Sequence, residues 1–213
     1  MWTRVELKNQ CKEVMSRSYG KMFVVALLAS IAYGVLQIDL DEITYNPNIR
    51  LLIGACFLAL QILAVSVIEV GASKFFILNA NDENVPVSTV FSMFKSDQYW
   101  NVVKIMFLKN LKTILWMLLL VVPGIIKSYE YSMIPYLLAE NPGMSSSEAF
   151  ATSKKMTTNQ KMDMFVLHLS FGGWYILGTL ACGFGLIFVA PYVYGTEVQL
   201  YFKLKTDSMY FTF

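Results

Sequence analysis

The sequence predicts an all-α integral membrane protein, a bundle of about six transmembrane helices with amphipathic interfacial helices on its cytoplasmic face. Of 213 residues, 56% are hydrophobic and 15% charged, against about 25% charged in soluble domains. Mean hydropathy is +0.51. Apolar runs such as 51–68 approach the roughly 17–25 residues that cross a bilayer. A soluble helical protein with an apolar core is the competing reading, and it is disfavoured because such a core does not need runs of this length.

The N-terminal element is a surface helix over 4–20. Thr3-Arg4-Val5-Glu6 has the capping-box pattern, in which a hydroxyl bonds a free backbone N–H and a carboxylate three residues on reaches back. Leu7, Cys11, Val14 and Ser18 share one face, and Arg4, Lys8, Lys12 and Arg17 lie elsewhere, as in an interfacial helix or a solvated cytosolic one. The first span is 22–38, followed by an acidic loop with a turn at Asn46-Pro47-Asn48. The second begins at Leu51 and continues helically to 78, where the Lys74 ammonium can extend toward water. After a loop over 79–85, a second amphipathic surface helix is expected over 87–97. Its Val87, Val90, Phe91 and Phe94 follow the helical i, i+3, i+4, i+7 spacing.

The third span, 101–122, carries Lys104, Lys109 and Lys112 in its first half, so an oblique or protected entry is expected. Pro123 and Gly124 read as its stop. The fourth segment, 125–139, is short enough to be a thin span or a re-entrant segment, and a span bent at Pro135 is preferred. Asn141-Pro142-Gly143 supplies a turn. Ser145-Ser146-Ser147-Glu148 caps a third surface helix over 145–158, with Phe150, Ser153 and Met156 on one side and Lys154 and Lys155 on the other. Spans five and six are 164–180 and 186–202, joined by a tight turn at Cys182-Gly183-Phe184-Gly185, with Pro191 inside the last.

The order reads as a threefold repeat of surface helix plus hairpin within one membrane domain, 1–213. An offset of 142 residues aligns Glu6 with Glu148, Lys12 with Lys154, Met22-Phe23-Val24 with Met164-Phe165-Val166 and Tyr33 with Tyr175. Chance likeness between basic-then-apolar helices is the competing explanation. Translocated loops carry few Lys and Arg. With both termini in the cytoplasm, Arg50 and Lys127 are the only basic residues on the far side out of 17. The basic segment before Met22 resembles a signal peptide, but it lacks a small-residue cleavage site and is read as retained.

Several function classes are disfavoured by composition. A net charge of +2 does not suggest a nucleic-acid partner. Cys11, Cys56 and Cys182 are odd in number, and two lie in apolar runs, which argues against a disulfide framework. A single histidine without Cys/His pairs at ligand spacing argues against a zinc site, and no metal or cofactor is expected.

The run Pro123-Gly124-Ile125-Ile126-Lys127-Ser128-Tyr129-Glu130-Tyr131-Ser132-Met133-Ile134-Pro135-Tyr136 is followed by Glu140-Asn141-Pro142, Ser153, Phe165, Ser170, Trp174 and Pro191-Tyr192. This order resembles a bacterial multi-pass membrane family catalogued as domain of unknown function 975. Glu6-Leu7-Lys8 and Val70-Gly71 before Phe75-Phe76 extend the resemblance over nearly the whole chain. The family is distantly similar to membrane domains fused to glycerophosphodiester phosphodiesterases, which implies lipid surroundings and a bacterial plasma-membrane location. Glu130 and His168 depart from the small or neutral and the aliphatic residues expected there.

Ionisable groups at bilayer depth are costly, so Glu69, Lys127, Glu130, His168 and Glu197 form the candidate intramembrane polar site. Lys127 and Glu130 are spaced to pair across one helical turn. The alternative is that the carboxylates are interfacial and His168 is a packing residue. Tyr129, Tyr131, Tyr136, Tyr192, Tyr194 and Tyr201 read as an aromatic cavity or as interface belts. Gly172, Gly173, Gly178, Gly183 and Gly185 read as close helix packing. Pro123, Gly124, Tyr129, Tyr131, Ser132, Pro135, Asn141, Pro142, Trp174, Pro191 and Tyr192 are assigned a structural role, shaping how the chain enters and leaves the membrane.

No nucleophile–base pair, phosphate-cradling loop or catalytic carboxylate pair is recognisable, and an enzyme is not expected. The expectation is a non-catalytic membrane protein that binds lipid, including anionic headgroups, or a hydrophobic peptide, or serves as an accessory subunit to a membrane partner. A transporter or lipid-translocating protein ranks second. A membrane-embedded enzyme ranks last, gaining ground only if Glu69, Glu197 and His168 gather around a water-filled pocket.

Overall fold

A computed structural model describes residues 2–34, 46–81, 84–180 and 184–210. Among these the chain is helical throughout, without strands. The acidic loop after the first span and the Cys182-Gly183 part of the last turn lie outside the described residues.

Helix α1, Arg4–Gly34, is broken only at Ser18, whose φ of −141° is not helical. Thr3 Oγ1 accepts from the Glu6 N–H at 3.2 Å, half of the predicted capping box. The Glu6 carboxylate does not reach back, because Lys203 takes it at 2.6 Å. Next come α2, Pro47–Leu60, a π-helical turn at Gln61–Val65, and α3, Ser66–Ala80. Their axes are continuous, giving 34 residues, about 51 Å at 1.5 Å per residue. Arg4–Ala32 and Pro47–Ala80 are, among the described residues, the two helices long and apolar enough to cross a membrane.

The predicted second surface α-helix is a 3₁₀ helix, Val87–Lys95. With three residues per turn, Val90 and Met93 share a face and are buried, while Phe91 and Phe94 turn outward. The α-helical spacing wrongly grouped the two phenylalanines with Val90. The tight helix lets the Val90 carbonyl settle on Gly71, where a Cβ would meet the carbonyl carbon at 2.7 Å.

Helix α4, Tyr99–Leu119, turns into α5, Val121–Glu130, at Leu120, whose backbone is extended. Pro123 and Gly124 therefore do not make the outer turn as expected. Pro123 sits in the first turn of α5, where a missing N–H costs nothing. Gly124 allows the hairpin to close, since its Cβ would lie 2.7 Å from the Met117 Cα. The segment 125–139 is also not one helix bent at Pro135. It breaks at Tyr131–Met133, and Pro135 opens α6, Ile134–Glu140, at a position that tolerates proline.

Helix α7, Ser146–Thr157, is capped by Ser145 Oγ accepting from the Glu148 N–H at 3.3 Å. The segment predicted as span five is interrupted, giving α8, Lys161–Leu169, and α9, Gly172–Leu180. Lys8 Nζ fills the break, donating to Ser170 Oγ at 2.8 Å and to its carbonyl at 3.3 Å. Desolvation, with Arg4 and Lys12 nearby, holds the Lys8 ammonium below its usual pKa. Helix α10, Phe184–Tyr210, contains Pro191 without ending there. Gly178 and Gly185 do pack closely, the Gly185 Cβ position lying 2.6 Å from the Gly178 Cα. Gly172 and Gly173 have nothing within 4 Å and do not mark a helix contact, contrary to expectation.

The contacts fix a common direction. Asn79 Nδ2 donates to Ser18 Oγ at 2.7 Å, so the start of α2 and the end of α1 point the same way. Glu6 against Lys203 and Phe23 against Phe188 align α1 antiparallel to α10. Tyr129 against Phe165, with Glu130 paired to Lys161, packs α5 on α8. The end of α1, the start of α2, the end of α9 and the start of α10 thus lie toward one end. That end exposes Leu51, Leu58 and Leu180, and the α4–α5 tip exposes Leu118, Leu119 and Val121. The other end buries Phe75, Ile105, Ile134, Leu138, Met164 and Tyr201. Helix α4 lies across this arrangement: Tyr99 Oη reaches the Leu63 carbonyl, while Lys109 pairs with Glu69.

Candidate functional site

Each carboxylate of the predicted polar site faces a lysine or a histidine from its own helix or a distant one. Glu69 takes Lys109 at 2.7 Å, Glu130 takes Lys127 at 2.8 Å and Lys161 at 3.0 Å, and Glu197 faces His168 at 3.1 Å. The i,i+3 pairing of Lys127 with Glu130 was legible in the sequence. Lys109 and Lys161 were not, because their partners lie 40 and 31 residues away. The available signal was that a carboxylate in an apolar run requires a counter-charge.

Glu130 is a structural clasp. It is 4% exposed, which strips its water and makes the two ammonium donors necessary. Its carbonyl accepts from buried Ser153 Oγ at 2.7 Å, so one residue ties α5 to both α7 and α8. Lys127 also lies 5.5 Å from the centre of the Trp116 ring, on the opposite limb of the hairpin.

Glu197 is the hub of a different arrangement. Tyr136 Oη donates to its Oε2 at 2.9 Å, and His168 Nε2 lies against its Oε1. The α10 helix presents Glu197, the start of α6 presents Tyr136, and α8 presents His168. Tyr136 stacks on Tyr201 at 5.3 Å, and Tyr129 lies 5.5 Å from His168, so aromatic rings close the site on both sides. Two cavities flank the carboxylate. One, of about 260 Å³, is lined by Ser128, Tyr129, Ser132, Tyr136 and His168. The other, of about 390 Å³, is lined by Ser30, Tyr175, Leu186, Val193 and Tyr194. Tyr136 is the partner of Glu197 that sequence reasoning placed only among the tyrosines of an aromatic cavity or of interface belts.

Glu69 and Lys109 line a further cavity of about 270 Å³ with Gln61, Ser66, Asn110 and Thr113. It opens beside the π-helical turn, where Ser66 Oγ donates to the Gln61 carbonyl at 3.2 Å. The predicted site is therefore brought together as one pair, Glu197 with His168, and two separate ion pairs. The serines near His168 are occupied: Ser128 and Ser132 donate to the Ile125 and Tyr129 carbonyls, and Ser170 to that of Leu167. What the Glu197 site offers is a carboxylate, an imidazole and a phenol beside apolar walls, suited to holding a hydroxyl or amine headgroup.

The remaining motif residues hold turns. Asn101 Nδ2 donates to the Pro142 and Met144 carbonyls at 2.8 and 2.9 Å, and Asn141 ends α6. Tyr131 meets Phe150 edge-on at 5.0 Å, and Trp174 meets Tyr192 at 6.4 Å. Among the described residues no group of acidic, histidine or cysteine side chains could hold a metal ion.

No curated protein and no solved structure matches the chain. The family described as "Protein of unknown function (DUF975)" matches residues 113–208, which takes in the motif run from Pro123 to Tyr192 but neither Glu6-Leu7-Lys8 nor Val70-Gly71. The matched region builds the α5–α10 half, including the Glu130 clasp and the Glu197 site, so this part of the chain is similar to that family of unknown function.

Proposed function

We propose that the chain is a non-catalytic integral protein of the bacterial plasma membrane that binds lipid or a hydrophobic peptide, either alone or as an accessory subunit. Its about six apolar segments form three helix pairs inserted from the cytoplasmic face, where both termini and the three surface helices lie. The observation that carries this is the exposure of Leu51, Leu58, Leu118, Leu119, Val121 and Leu180. Water would have to cover that surface in a soluble protein, whereas acyl chains cover it without cost. Exposed Lys112 lies about 12 Å of helix below the α4–α5 tip, at the level suited to anionic headgroups.

Binding to vesicles of phosphatidylcholine, with and without phosphatidylglycerol, tests the reading together with native mass spectrometry of the purified protein. The expected result is stable insertion in both, tighter with the anionic lipid, and retained lipid. Protein that stays soluble without detergent and retains no lipid or partner would overturn it.

A transporter or lipid-translocating protein is the second reading, favoured by the position of Glu197 between two cavities. Reconstituted flux that is unchanged on replacing Glu69, Glu130 and Glu197 together removes that carboxylate pathway.

A further inference from the structure

The α4–α5 hairpin ends in an apolar tip. Leu118, Leu119, Leu120, Val121 and Val122 are 84, 67, 61, 69 and 67% exposed, so no described residue covers them. Its base is tied to polar helices on both limbs. Lys112 Nζ, on α4, lies 3.7 Å from the centre of the Phe150 ring on α7. Lys127, on α5, shares Glu130 with Lys161 of α8, and Ser153 of α7 bonds the Glu130 carbonyl.

Helix α7 exposes Glu148, Lys154 and Lys155, and a helix with that face lies in water or among headgroups, not in hydrocarbon. The base of the hairpin therefore sits at headgroup level. From there Leu120 is eight residues beyond Lys112 and seven before Lys127, about 12 Å of helix at 1.5 Å per residue. Lysine stems add roughly 6 Å of adjustment. The hydrocarbon core is about 30 Å thick, so a hairpin of this length reaches at most about the middle of the bilayer.

Resting on the membrane reading above, we propose that the α4–α5 hairpin is a re-entrant wedge that packs against the acyl chains of the cytoplasmic leaflet and does not cross the membrane. The lysines at its base suit the anionic headgroups of that same leaflet, which supplies the charge complementarity. Two further features agree. The helices long enough to cross, Arg4–Ala32 and Pro47–Ala80, both belong to the first hairpin. A re-entrant tip also returns Lys127 to the side of the other lysines, leaving Arg50 alone on the far side among 17 basic residues. Backbone at such a tip needs its hydrogen bonds satisfied within the segment. The Leu120 N–H donates to the Trp116 carbonyl at 3.1 Å, and the Gly124 N–H to the Leu120 carbonyl at 3.0 Å.

The test uses the full-length chain with Cys11→Ala, Cys56→Ala and Cys182→Ala, carrying in turn Leu119→Cys at the tip, Ser147→Cys on α7 and Asn48→Cys before α2. All three new positions are exposed, so folding is not at risk. A membrane-impermeant maleimide is applied to right-side-out and inverted membrane vesicles. The expected result is opposite sidedness for positions 48 and 147, with position 119 labelled about tenfold less than either from both sides. A bimane at position 119 is then quenched more by mid-chain than by headgroup nitroxide lipids. Labelling of 119 from the side of 48 shows that the hairpin crosses, overturning this inference while the membrane reading stands. Labelling of 119 from the side of 147 shows that the tip is outside the bilayer and overturns the inference. Positions 48 and 147 on one side, with all three sites reactive, would overturn the membrane reading as well.

Discussion

Replacing Glu130 by glutamine keeps the shape of the side chain and removes the charge that two lysines share. The carboxylate accepts from Lys127 at 2.8 Å and from Lys161 at 3.0 Å while itself 5% exposed. Removing one partner of a buried ion pair costs about 3–5 kcal/mol, largely because the other charge is left uncompensated. Here the two ammonium groups are 24% and 29% exposed and regain water, which reduces the loss. Glutamine also still accepts a hydrogen bond. A destabilisation of about 2–3 kcal/mol follows, with Lys127→Met and Lys161→Met each costing about 1 kcal/mol, because the remaining lysine still compensates the carboxylate. Reversible denaturant unfolding in bicelles measures these values, and the Glu130→Gln/Lys161→Met double variant gives the coupling. Additive effects, or a Glu130→Gln shift within ~0.5 kcal/mol of zero, would show that this clasp does not hold α5 to α8.

Gly71→Ala places a Cβ 2.7 Å from the Val90 carbonyl carbon and 3.1 Å from its Cα, atoms that cannot swing aside. It is expected to cost about 3 kcal/mol or more, whereas Gly173→Ala, with open space around it, stabilises α9 by about 0.5–1 kcal/mol; thermal midpoints of the two compare them directly. Burial pushes the Cys11 thiol from 9.0 to about 11, so the folded state holds its proton longer than the unfolded chain. The corresponding stability is complete below pH 9 and lost between pH 9 and about 11, by up to about 2.7 kcal/mol, and a wild-type-minus-Cys11→Ala difference in stability that does not change across that window contradicts the assignment.

Much of the chain's plan could be read from local patterns. The two capped helix starts at Thr3 and Ser145, the long helix through Glu69, the pairing of Lys127 with Glu130 and the inward face of α7 depend on spacing within one or two turns. Spacing also misled in specific places. Val87, Val90, Phe91 and Phe94 satisfy an α-helical rule, but close approach to Gly71 favours a tighter helix that turns both phenylalanines outward. Pro123-Gly124 looks like a stop, yet the turn falls at Leu120, because proline is harmless in a first helical turn and glycine is needed opposite Met117.

By itself the sequence determined the helical class, the order of apolar and basic segments and the need for counter-charges in apolar runs, since these follow from composition and short-range periodicity. Only the tertiary structure decided which charge meets which. Glu69 finds Lys109 across 40 residues, and Glu197 finds both Tyr136 and His168 through the packing of three helices. The same packing fixed the base of the α4–α5 hairpin against α7, and the proposed depth of its tip rests on that contact. A run of apolar residues states only that a segment prefers hydrocarbon. The level at which the fold anchors its lysines sets how deep that segment can go.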